Sequence, residues 1–257
     1  MKRLLVFERT KVLHMKSLWL CLGSAFVSVW LSELLVKLMH IPAISDLLNQ
    51  YFTMAEPSAV SASLSAFEGG SFSMLFGIFA ALYICDDFRH KTIRNVCSRG
   101  YSRTEVFFSK WLVLTIIGYL WYWFTCLVGF IAGFVLYGKL GATAGWFAAM
   151  LSQSTVAIAY SSVFAAVSLL IGKTGGAIAV NVLVPSGLVT VLSILQYGLE
   201  WMDIKVPVSS WWLDGASALV KNLPYESDAP GRCLLTVAVY TVAAFVLYML
   251  KSRKKEL

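Results

Sequence analysis

The chain has 257 residues, 58% of them hydrophobic and only 14% charged, with a mean hydropathy of +0.73 and a net charge of +7. A soluble domain carries about a quarter charged residues, so a water-exposed globule is excluded, and several apolar runs approach or exceed the ~20 residues that cross a bilayer as helix. Nucleic-acid binding is excluded as well, because the basic residues sit in short segments between the apolar runs. There, anionic lipid, the positive-inside bias and a cytoplasmic partner account for them.

The first 16 residues mix Leu4, Leu5, Phe7, Val12 and Leu13 with charges. They are not a cleavable signal, since Glu8, Arg9 and Lys11 interrupt an apolar core that is already too short. The apolar runs then predict six spans, at 17–39, 66–85, 107–136, 143–171, 175–199 and 232–250, within a single all-α membrane domain over 1–257. The first of them acts as a signal anchor. The third and fourth exceed what a bilayer requires, and so tilt or project from it.

Orientation follows from Lys and Arg. Segments 1–16, 86–110, 172–174 and 251–257 hold 5, 6, 1 and 4 of the 21, whereas the other face carries Lys37, Lys139, Lys205, Lys221 and Arg232 against nine acids. The basic side faces the cytoplasm of a cell-membrane protein, and six spans place both termini there. Two outer segments, 40–65 and 200–231, are longer than tight turns. The second carries Trp201, Trp211 and Trp212. It dips into the membrane, lies along it as an amphipathic helix, or forms an ordinary loop anchored by aromatics.

Five scattered cysteines without a C-x-x-C pair read as small apolar residues, with no disulfide framework or metal site. Gly172-Lys173-Thr174 has the end of a P-loop, but Val167 stands where its first glycine belongs. That stretch reads as a tight inner turn. No nucleophile and base assemble, so no catalytic residue is assigned. Within the spans, Glu33 and Lys37 are four apart in the favourable order, either a self-neutralising pair or part of a pathway. Gln153, Ser154 and Asn181 line a cavity or bond between helices. Pro185 is expected to kink span five. The run Tyr119, Trp121, Tyr122, Trp123 and Phe124 surrounds its helix and suits lipid and packing.

The most informative segment joins spans two and three. Asp86 and Asp87 are placed as N-cap and first-turn acids of a short basic helix. Phe88, Arg89, Lys91, Ile93, Arg94, Asn95 and Arg99 follow, Gly100 stops the helix, and Ser102-Arg103-Thr104-Glu105 starts the next. A plain positive-inside loop accounts for the charge but not for this order of cap, helix, glycine and restart.

Here the sequence resembles the ABC-2 class of ABC transporter permeases. The likeness lies in the acidic end of span two, Thr92-Ile93-Arg94-Asn95, the turn Ser98-Arg99-Gly100-Tyr101-Ser102-Arg103, and Lys110 opening span three. The motif covers about 25 residues, and the layout covers the whole chain. Its small size is similar to permeases of lantibiotic and bacitracin resistance. The resemblance implies an N-terminal amphipathic interfacial helix and, around 86–99, a coupling helix that docks in a separate cytoplasmic ABC ATPase. Asp86, Asp87, Phe88, Arg89, Lys91, Ile93, Arg94, Asn95 and Arg103 would form that contact. It further implies a second permease protomer, the same or a related chain, with substrate passing between the two. No cofactor is bound by this chain, since ATP and Mg belong to the ATPase. A hydrophobic or amphipathic peptide is the favoured cargo. The rival readings are an ion-gradient-driven secondary transporter, which would show repeats or mid-membrane acids, and a non-transporting scaffold or sensor.

Overall fold

The computed structural model describes residues 2–41, 56–67, 71–90, 92–202, 208–221 and 228–254. Among them all regular structure is helical. The elements are α1 Lys2–His14, α2 Lys16–Met39, α3 Ala59–Ser65, α4 Ser71–Arg89, α5 Thr92–Cys97, α6 Arg103–Tyr137, α7 Trp146–Ile171, α8 Thr174–Trp201, a 3₁₀ turn Val208–Trp211, α9 Leu213–Lys221 and α10 Ala229–Lys254.

Five helices, α2, α6, α7, α8 and α10, are long and apolar enough to cross a membrane. The chain is therefore a multi-pass membrane protein. The expected second span corresponds to α4, which begins at Ser71 rather than near 66 and has 19 residues. Its last turn carries Asp86, Asp87 and Arg89, which shortens its apolar stretch. Its identity as a core helix is written in its aromatics. Phe72, Phe76, Phe79 and Tyr83 recur at helical spacing, and all four are buried. They meet Trp121 of α6 and Tyr160 and Phe164 of α7, with ring centroids 5.6–6.3 Å apart.

Helix α6 has 35 residues, which makes it about 52 Å long. That exceeds the ~30 Å hydrocarbon core by several turns. A capping box of Ser102 and Glu105 starts it, and Gly138 at φ 66° ends it. Gly172, at φ 69°, closes α7 just before α8 begins, which is the tight turn predicted there. Pro185 lies inside a helix that runs without a break from Thr174 to Trp201. The aromatic run of α6 divides by face: Trp121 and Tyr122 are buried, while Phe124 and the neighbouring Leu120 are exposed.

Two elements at the end opposite the basic loops were not legible as such. Helix α3 is capped by Ser58 and Ser61 and lies against α6. The contact is close because Gly129 and Gly133, four apart on α6, have no side chains. A Cβ on either would come within 2.6 Å of Ala66 or Ala62. The 3₁₀ turn and α9 enter the bundle instead of lying along it. Trp212 reaches Tyr160, about halfway along α7, and Tyr240 of α10, with ring centroids at 6.4 and 5.3 Å. Ser217 lies beside Gln153.

Candidate functional site: the basic end

The loop between α4 and α6 follows the predicted order, with one correction. Asp86 and Asp87 are not caps of the short helix. The last turn of α4 runs through them to Arg89, and the short helix spans only Thr92–Cys97. Gly100, at φ 90°, ends the loop as expected.

This shift moves Asp87 from the surface to the interior. Its carboxylate forms ion pairs with Lys11 of α1 and Lys110 of α6. Lys110 also pairs with Glu8 of α1 at 2.9 Å, and Glu8 accepts a hydrogen bond from the Tyr83 hydroxyl at 2.7 Å. Glu8, Asp87 and Lys110 are each buried to within 2% exposure. The two ammonium groups lie 5.7 and 5.1 Å from the centre of the Tyr83 ring, within reach of its π face. Two carboxylates face two ammonium groups, so the cluster is neutral as a whole. That balance is what allows three of the four charges to leave water, with Lys11 still partly exposed.

Three elements meet in this cluster: α1, the end of α4 and the start of α6. A fourth is tied in at its edge, where Tyr248 of α10 donates to the carbonyl of Phe107 at 3.0 Å. Ile93, predicted as a partner contact, is buried at 2% exposure, and Phe88 stacks on Phe107. Both anchor the loop to its own bundle. What faces outward is basic and polar: Arg89, Arg94, Asn95, Arg99 and Arg103 are exposed, and half-buried Asp86 pairs with His90. Lys91 lies outside the described residues.

The remaining predicted residues are dispersed. Glu33 does not pair with Lys37. It accepts from the Tyr137 hydroxyl at 2.8 Å and from Ser65 at 3.3 Å, while Lys37 is exposed. Glu33 thus ties α2 to α6 and to the end of α3. Asn181 donates to the Gly77 carbonyl and to Ser168, both at 3.1 Å, and so bonds α8 to α4 and α7. Gln153 accepts from Tyr122 at 3.3 Å and donates to Ser217. Ser154 bonds only within its own helix.

Sequence reasoning missed Glu8, Lys11, Tyr83 and Lys110 as one cluster. A signal existed: Leu4, Glu8 and Val12 are spaced by four and share one face of α1, and all three are buried. An acid in the middle of a buried stripe requires a cation opposite. It also missed Asp214, which α9 carries into the bundle. Beside it the Tyr160 hydroxyl and Trp212 indole N–H are buried without a hydrogen bond of ordinary geometry, although both bear on its carboxyl.

Residues 4–196 match the family described as ABC-2 family transporter protein. The chain belongs to that family. No curated protein matches it. The ABC-2 match begins in α1 and ends within α8, so it contains the whole charge cluster and the basic loop. The 3₁₀ turn, α9 and α10 lie beyond it. As an ABC-2 transporter protein the chain is a membrane transport component, working in the setting of an ABC ATPase.

Proposed function

We propose that this chain is the permease subunit of an ATP-driven exporter, and that its basic loop is where a separate ATPase takes hold. Six helices cross the membrane, α4 being the second, with the basic end and both termini in the cytoplasm. The observation that carries the reading is the division of labour within 86–103. Asp87 and Ile93 are buried and fasten the loop, while Arg89, Arg94, Asn95, Arg99 and Arg103 are left outward. A loop exposed only to solvent has no need of such an anchor. A loop that transmits force does, because displacement by a partner must reach the helices and not be absorbed locally.

Closure of two ATPases on nucleotide would push on this surface in each of two permease protomers. The charge cluster would pass the motion to α1, α4 and α6 together as a rigid unit. In this reading a hydrophobic or amphipathic cargo moves between the protomers, with an antimicrobial peptide as the specific candidate. ATP and Mg then belong to the partner, and this chain has no ATPase site of its own.

The test is co-purification with the cognate ABC ATPase. The wild type should retain that ATPase, and the triple variant Arg89→Glu, Arg94→Glu, Arg99→Glu should lose it while still inserting in the membrane. Ile93 is left intact in this design because its substitution would disturb packing. Undiminished capture by the triple variant would reject the coupling role.

A further inference from the structure

Alongside the charge cluster, α1 and α6 enclose a groove of about 460 Å³. Leu5 and Leu13 of α1 and Leu112, Ile116 and Leu120 of α6 line it, and among the described residues Arg9 is the only charged one on its wall. Arg9 is exposed and enters no ion pair among the described residues. From Leu112 to Leu120 the wall extends about 12 Å along the helix axis. One leaflet of hydrocarbon is ~15 Å deep. Ile116 and Leu120 are exposed at 50% and 60%, so the groove opens where lipid lies.

We infer that this groove holds one acyl chain of an anionic glycerophospholipid from the leaflet at the basic end, with the phosphate seated on the Arg9 guanidinium. Three features select that occupant. The wall is apolar over the depth an acyl chain occupies. The single charge sits on α1, whose Arg3 is also exposed, as is Lys16 at the start of α2, and whose Val6 and Phe7 present apolar surface beside it. That pattern places α1 at headgroup level. A planar guanidinium also matches a phosphate with paired hydrogen bonds. A soluble anion would satisfy the charge but not the wall, and a neutral lipid the wall but not the charge. The inference goes beyond the export reading, since a bound lipid would brace the interfacial helix whether or not an ATPase docks.

The experiment uses the full-length protein in vesicles of phosphatidylglycerol and phosphatidylcholine in equal parts. A photoreactive residue replaces Leu120, and adducts are identified by mass spectrometry. Lipid adducts enriched in phosphatidylglycerol over phosphatidylcholine are expected. Arg9→Gln should reduce that enrichment about fivefold, the equivalent of the roughly 1 kcal/mol that one basic residue contributes near an anionic surface. Ile116→Trp, which fills the groove, should remove both adducts. If Ile116→Trp does not insert, the Arg9→Gln ratio alone decides, since that substitution is on an exposed side chain. Adducts to protein, whether a second copy or a peptide, or lipid adducts without headgroup preference, would overturn the assignment.

Discussion

Glu8 of α1 and Lys110 of α6 lie 2.9 Å apart, and each side chain is only 2% exposed. The pair joins the N-terminal helix to one long and apolar enough to cross a membrane, and both of its side chains are buried. Charge balance decides what its removal does. Lys110→Met leaves Glu8 and Asp87 facing Lys11 alone, so one buried carboxylate is uncompensated. Breaking a buried pair in this way costs about 3–5 kcal/mol. The double variant Glu8→Leu, Lys110→Met leaves the neutral pair Lys11–Asp87, and it should be more stable than Lys110→Met alone. Thermal unfolding of both variants in the same detergent checks this, and equal losses would show that the four charges do not act as one balanced cluster.

Gly129 gives a second handle, on the opposite end. In an exposed helix interior, Gly→Ala gains up to about 1 kcal/mol. At Gly129 the added Cβ would meet Ala66 Cβ at 2.6 Å and the Ala62 carbonyl at 2.7 Å. Helix α3 would have to move off α6, at about 1–3 kcal/mol. Gly187→Ala is the control, because nothing lies within 4 Å of its position. The melting temperature should fall for the first and hold or rise for the second.

Gln153 holds α9 inside the bundle through Ser217, and Tyr122 through its carbonyl oxygen. Gln153→Leu keeps the size but strands the Tyr122 hydroxyl and frees Ser217. The expected loss is about 1–3 kcal/mol. It should fall on the connection between α8 and α10, so protease cleavage within 203–227 should accelerate before global unfolding does. Cleavage unchanged from wild type would mean that Trp212 and its aromatic neighbours hold α9 unaided.

The helix order was legible because lipid imposes a simple rule: each crossing must be continuously apolar, and charges collect at its ends. Capping residues such as Ser102 and Gly100 marked the loop for the same local reason. What stayed hidden was relational. Glu33 read as a partner for Lys37 because spacing along one helix is visible in sequence, whereas Tyr137 is 104 positions away. Asp87 read as a cap because its burial depends on Lys11 and Lys110 arriving from two other helices. Helix α3 was missed because Gly129 and Gly133 signal a close approach without saying which element approaches.

Exposed charge at the opposite end gives a pH prediction of the other sign from burial. The Lys139 ammonium, hydrogen-bonded at 2.9 Å, holds the Glu56 carboxyl below the usual carboxylate range. A lowered folded value means that any contribution is present above the unfolded value, about 4.3, and is lost as pH falls through the folded one. Both side chains are largely exposed, so salt screens the pair. Glu56→Gln should therefore leave the melting temperature nearly unchanged at neutral pH. A marked drop there would show that 56–58 anchors α3 through this charge.

Sidedness can be read directly with cysteine. Cys21, Cys85, Cys126 and Cys233 are buried, and Cys97 is half-buried. With Cys97 replaced by Ser, a cysteine introduced at exposed Asn95 or exposed Leu140 becomes the accessible thiol on its own end of the bundle. The 16 Lys and Arg residues gathered on the side of Asn95 predict that an impermeant maleimide labels Leu140→Cys in intact cells. Asn95→Cys should react only after permeabilisation. The reverse pattern would put Arg94 and Arg99 on the wrong side of the membrane for any ATPase, and the coupling surface would have to be sought at the other end of the molecule.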